Sequence, residues 1–99
     1  MKLTMLRAKV KSDRAQEAVE ATQRWFAAVE EAKPNGVRYA SCHLPDGVTY
    51  VVLLRLDDGI DNPLPSLPAF GEFQKNLQEV LAEPGTPEEL TVVGSYNLF

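Results

Sequence analysis

The stretch VRYASCHLPDGVTYVVLLRL, residues 37–56, decides how the rest of the chain must fold. Two strand-like runs, 37–44 and 48–56, flank the segment Leu44-Pro45-Asp46-Gly47-Val48. Proline presets the first turn dihedral, aspartate suits the next position, and glycine takes a left-handed one at no steric cost. The pattern predicts a type I turn with a glycine bulge, closing a hairpin in which Leu44 faces Val48. In that register one face carries Ala40, Cys42, Leu44, Tyr50, Val52, Leu54 and Leu56. The other carries Val37, Tyr39, Ser41, His43, Thr49, Val51, Leu53 and Arg55. Side chains alternate at every residue, so a slip of one position would exchange one strand's two sets. The run Val51-Val52-Leu53-Leu54 is apolar on both sides, as expected of a strand covered on both faces.

Residues 3–10 (LTMLRAKV) alternate, with Leu6, Ala8 and Val10 on one side and Met5, Arg7 and Lys9 on the other, which predicts a first strand. Ser12 is placed to cap a helix running to about Lys33, with Asp13 favourable beside its positive end. Ala15, Ala18, Val19, Thr22, Trp25, Phe26 and Val29 recur at three- and four-residue spacing, giving that helix one buried stripe. Pro34-Asn35-Gly36 ends it. After the hairpin comes an acidic, proline-bearing connection over 57–67. A second helix is expected over 68–82, with Phe70, Phe73, Leu77, Val80 and Leu81 inward and a last strand following over 90–98. The order is βαββαβ, a ferredoxin-like α+β arrangement with a four-stranded antiparallel sheet and two helices on one face. Its first and third strands are central.

Ninety-nine residues make one domain, spanning 1–99. Ten basic against fourteen acidic residues give a net charge of -4, and the basic ones are scattered, which argues against a nucleic-acid partner. No apolar run approaches the ~20 residues that span a bilayer, and Lys2, Arg7, Lys9 and Lys11 interrupt any leader-like core, so a cytoplasmic protein is expected. Cys42 is the only cysteine and reads as a small core residue. One histidine and one cysteine cannot build the usual zinc sites. Asp57, Asp58, Asp61 and Asn62 lack calcium-loop spacing, so no metal is expected.

Two helices cover one sheet face, yet the other still presents Met5, Tyr39, Val51, Leu53 and Val93, mixed with Arg7, Ser41, His43 and Arg55. An apolar patch of that kind left in water is unusual for a monomer, and the face is expected to pair with a second copy. On element order, length and this two-sided third strand, nearly the whole chain resembles the dimeric α+β barrel superfamily, loosely its antibiotic-biosynthesis-monooxygenase-like branch. The resemblance implies a homodimer with sheets face to face and an aromatic substrate held between helices and sheet. It also implies oxidation of polycyclic phenols by oxygen with no metal or cofactor. Those branches commonly place Trp or His near the second helix, whereas residues 63–82 contain neither, which counts against haem degradation.

For chemistry, His43 is the only histidine and the first candidate for acid–base work. Arg55, set in an apolar strand, is a candidate for holding an oxyanion. Trp25, Tyr50, Tyr96 and Phe70 are candidate aromatic walls for a ligand. Two functions follow: a cofactor-free monooxygenase-like enzyme with His43 and Arg55 as catalytic groups, or a non-catalytic binding protein on the same scaffold.

Overall fold

A computed structural model describes residues 1–99. Strand β1 (Lys2–Val10) leads into helix α1 (Ala15–Ala32), then β2 (Val37–His43), β3 (Thr49–Leu56), helix α2 (Ala69–Val80), and two short strands, β4 (Leu81–Glu83) and β5 (Glu88–Leu90). The sheet runs β2-β3-β1-β4, with β5 also on β1, and every pairing is antiparallel. The central strands are β1 and β3, as the pattern predicts, and the fold is the expected ferredoxin-like α+β arrangement. Its fourth strand position is shared by two three-residue pieces.

Three local expectations give way. The helix entry is a single 3₁₀ turn, Ser12–Arg14, and no side chain caps it or α1. The exit is as read: Lys33 takes a left-handed conformation and its N–H donates to the Val29 carbonyl at 2.9 Å. The last strand is not at 90–98. Residues 91–99 carry no strand pairing, while the β1 edge is taken by 81–83 and 88–90. Chain geometry explains this: α2 ends at Val80 and the strand begins at Leu81 with no loop, tied down by Lys11 N–H donating to the Val80 carbonyl at 2.8 Å. The edge is already filled through Leu90, paired with Leu3 near the start of β1, when Thr91–Val93 follow.

The third difference is the hairpin register. The tight turn forms, with Gly47 N–H donating to the Leu44 carbonyl at 2.9 Å and Gly47 at φ 74°. But Leu44 bonds to Thr49, and His43 stands opposite Tyr50, one residue beyond the expected pairing. Asp46 is the cause. Its carboxylate accepts the N–H of Val48 and of Thr49, each at 2.9 Å, and the Thr49 hydroxyl at 2.6 Å. With those donors satisfied inside the loop, Val48 leaves the hairpin ladder and its carbonyl accepts Val10 N–H instead, at 2.9 Å.

The slip sorts β2 anew. Tyr39, Ser41 and His43 share the helix-covered face with Leu6, Ala8, Val10, Tyr50 and Val52. Arg38, Ala40 and Cys42 fall on the face the helices leave bare, with Leu3, Met5, Arg7, Val51, Leu53 and Arg55, and the C-terminal Leu98 and Phe99 lie against the Leu3–Arg55 end of it. Cys42 is therefore exposed, not a core residue. The core lies between sheet and helices, where Val10, Ala18, Tyr50 and Val80 meet, with Trp25 sealed at 2% exposure further along α1.

Candidate functional site

Between the sheet and both helices a cleft of about 240 Å³ is left unfilled. Its floor is Leu6, Ala8, Tyr39, Ser41, Tyr50 and Val52 from the three long strands. Thr22 and Phe26 of α1 form one wall, and Phe73, Gln74, Leu77 and Gln78 of α2 the other. Pro84 and Gly85, between β4 and β5, close an end. Gly85 is there because nothing larger fits: a Cβ at that position would stand 2.0 Å from the Arg7 carbonyl oxygen. No charged side chain lines the cleft. An apolar cavity with a few fixed polar groups is the usual make-up of a small-molecule site.

Two phenols supply much of that polarity. Tyr50, 8% exposed, packs its ring against Val10, Ala18 and Val80, and its hydroxyl is buried with no hydrogen-bond partner. Such a group costs about 1–3 kcal/mol to leave unpaired, so its retention needs a reason. Tyr39 stacks on Phe26 (4.6 Å between ring centroids) and its oxygen accepts the Trp25 Nε1–H at 3.1 Å. Burial pushes both phenols above their ordinary value, in Tyr39 against the opposing pull of the Trp25 N–H. Both remain protonated donors at neutral pH.

The residues singled out by sequence separate. Tyr50 lies on the cleft floor. Trp25 and Phe70 stand behind the lining: Trp25 stacks on Phe73 at 5.3 Å and meets Phe70 edge-on at 5.7 Å, so they hold the wall without being its surface. Tyr96 is 89% exposed in the C-terminal segment, and ligand contact in the cleft is not open to it. His43 is exposed and does not line the cleft; its ring meets Tyr50 edge-on at 5.6 Å and its Nδ1 lies 3.1 Å from the Leu44 carbonyl oxygen. Arg55 is on the opposite face of the sheet, bonded to Asp57 at 2.8 Å and to the Met1 sulfur at 3.1 Å, so it cannot act in the cleft beside Tyr50. His43 and Arg55, each a candidate for steadying a substrate's negative charge, lie on opposite faces of the sheet because of the register slip, so the two do not meet in one place. Tyr39 was missed for the same reason, having been assigned to the bare face. Gln74 and Gln78 could have been found as the polar i, i+4 pair flanking the apolar stripe of α2.

No group of three His, Cys, Asp or Glu side chains is placed to hold a metal ion, and no helix is long and apolar enough to cross a membrane. No protein-family model matches the chain, and no curated protein matches it by sequence. Its shape does have counterparts. A Nitrosomonas europaea protein provisionally named an antibiotic biosynthesis monooxygenase aligns at a TM-score of 0.77 and 17% identity, over 95% of this chain and 100% of its own. A Caulobacter crescentus protein, provisionally named likewise, aligns at 0.76 and 19%, over 94% and 90%. The fold is antibiotic-biosynthesis-monooxygenase-like. A Mycobacterium tuberculosis protein shares it at a TM-score of 0.68 and 20% identity, over 95% of this chain and 96% of its own. At these identities the likeness is one of monooxygenase-like fold.

Proposed function

We propose that the protein is a homodimeric, cofactor-independent monooxygenase-like enzyme that oxidises an aromatic small molecule in the cleft between helices and sheet. The cleft carries this reading: apolar walls, no charge, and an unpartnered phenol on the floor. The names given to the Nitrosomonas and Caulobacter proteins of the same fold support it. In such a reaction the substrate supplies the electrons. A ring-flanked CH₂ and O₂ give a carbonyl and water, so the protein need only bind, exclude solvent and steady developing negative charge. Tyr50, the unpartnered phenol of the cleft floor, would be the group that donates to a substrate oxygen as that charge grows. His43, whose ring touches Tyr50 from outside, acts on the cleft only through it.

The bare sheet face supports the dimer. Met5, Val51 and Leu53 are only half-covered there. Arg38 and Arg55 occupy its β2–β3 side, while Glu83 and Glu88 occupy the β4–β5 side through their pairing with Lys9 and Met5. Arg7 and Lys9 of β1 stand on the same face beside these acids, so the half-covered apolar residues, more than charge, carry the dimer reading under a two-fold axis.

A binding protein without turnover is the second reading, favoured by one observation: no histidine, carboxylate or amine lines the cleft to take a proton at neutral pH. An oxygen electrode with a panel of polycyclic phenols separates the two. Oxygen uptake with formation of the quinone is expected; saturable binding with no uptake would leave the binding protein standing. Native mass spectrometry tests the assembly, with a species near twice 11.0 kDa expected. A single 11.0 kDa species at micromolar concentration would end the dimer proposal.

A further inference from the structure

Hydrogen-bond bookkeeping on the cleft floor leaves two protons without acceptors. The Tyr50 hydroxyl has no partner of any kind. Tyr39 does have one, but of a single sense: indole Nε1–H is donor only, so the 3.1 Å contact uses a lone pair of the Tyr39 oxygen. The Tyr39 O–H hydrogen has no acceptor in the chain. That contact also fixes the oxygen. Trp25 is sealed in the core by Phe70 and Phe73, and Phe26 clamps the Tyr39 ring from one side. The two phenols stand at different ends of the floor. Tyr39 pairs with Leu54, four residues along β3 from Tyr50, which offsets their backbone positions by about 13 Å along the strands. Between them lie Ser41, Val52 and the apolar walls. With no charged side chain on the lining, an ionised ligand group would be left without a counter-charge.

We infer that the cleft is a two-ended donor site, in which Tyr39 and Tyr50 hold an uncharged, elongated ligand by acceptor oxygens at its two ends. Trp25 is a positioning residue for the Tyr39 end. The inference rests on the cleft being the ligand site, as proposed above, and adds which ligands it selects. The Tyr50 hydroxyl has no accessible surface in the ligand-free protein, so a ligand's acceptor meets it only as a molecule seated deep in the cleft shifts the surrounding side chains.

Three rigid probes of one shape test this: biphenyl, 4-acetylbiphenyl and 4,4′-diacetylbiphenyl, carrying no, one and two terminal carbonyl acceptors. Equilibrium dialysis against the intact protein gives their dissociation constants. Affinity is expected to rise about five- to tenfold with each acceptor, the size of one buried hydrogen bond. Tyr39→Phe and Tyr50→Phe should each remove one such step for the diketone and leave biphenyl unchanged. Trp25→Phe should weaken the diketone and spare biphenyl, a selectivity that a merely structural role would not produce. Near-UV circular dichroism confirms folding of each variant, and the two tyrosine variants carry the test if the tryptophan one does not fold. Equal affinity for all three probes, or tyrosine variants that leave the ranking intact, would overturn the two-ended site while the cleft survives as an apolar pocket. Failure of even biphenyl to bind would remove the cleft reading and this inference with it.

Discussion

The two faces of the one sheet are made from alternate residues of the same strands, yet they are built to different ends. The covered face holds Leu6, Val10, Tyr50 and Val52 under two helices, with its one conspicuous defect the unpaired Tyr50 hydroxyl. The bare face mixes Met5, Val51 and Leu53 with Arg7, Arg38 and Arg55, and Arg38 lies directly across from Arg55. Like charges opposite one another weaken a strand pair, and Asp57 bonds only the second of them. One face thus tolerates an unsatisfied polar group inside a core, the other an apolar patch and a charge clash outside one. Each defect is what the proposed partners, a ligand on one face and a second copy on the other, would relieve.

The comparison breaks most visibly at Trp25. Trp25→Ala should cost about 3–5 kcal/mol in urea unfolding, because it empties the contact between α1 and α2. Leu53→Ala should cost far less in dilute protein and progressively more as concentration rises, if the bare face pairs with a second copy. A Leu53 effect as large as that of Trp25 and independent of concentration would erase the distinction between the faces. Gly85→Ala comes next, at about 1–3 kcal/mol, since the new Cβ meets the Arg7 backbone and Leu6 Cδ1 and must push the β4–β5 link off the sheet. Thermal unfolding measures it.

Tyr50→Phe reverses the sign. Deleting an unpaired buried hydroxyl should raise stability by about 1 kcal/mol in the ligand-free protein, and a loss instead would mean the hydroxyl has an internal partner. The smallest effect is confined to acid. The Thr49 hydroxyl and the backbone N–H groups of Thr49 and Val48 hold the Asp46 carboxyl down to about 2, from an ordinary 3.8. A depressed folded-state value means the contribution is complete above 3.8 and fades as pH falls toward about 2. Asp46→Asn should therefore flatten the stability profile in that window, followed by thermal midpoints from pH 6 to pH 2. Its effect on register would show in backbone chemical shifts of residues 44–49.

Element order was legible in the sequence because it rests on long periodic segments: the stripe of α1, the alternation of β1, the apolar run of β3. What was not legible turned on single side chains. The hairpin register depends on Asp46 bonding inside its own turn, an interaction indifferent to hydrophobic pattern, and with it went the faces of Tyr39, Cys42 and Arg55. The fourth strand position was hidden because Leu81–Glu83 and Glu88–Leu90 are too short to show alternation, while the more apolar Thr91–Val93 that follow lie beyond the paired edge. Of the candidate site residues, Tyr50 survives that slip because its strand stayed in place, whereas Tyr39 emerges only once the register is known.

The split between β4 and β5 makes the two edges of the sheet unequal as templates for a further strand. Pro84 and Pro87, in the gap between two three-residue strands, leave that side of the sheet without a continuous ladder for another chain to copy. The opposite side ends in β2, seven residues with an unbroken outer edge. Any templated addition of a foreign strand, whether a cellular partner or the first step of aggregation, therefore has one entrance, along β2, and a polarity set by it.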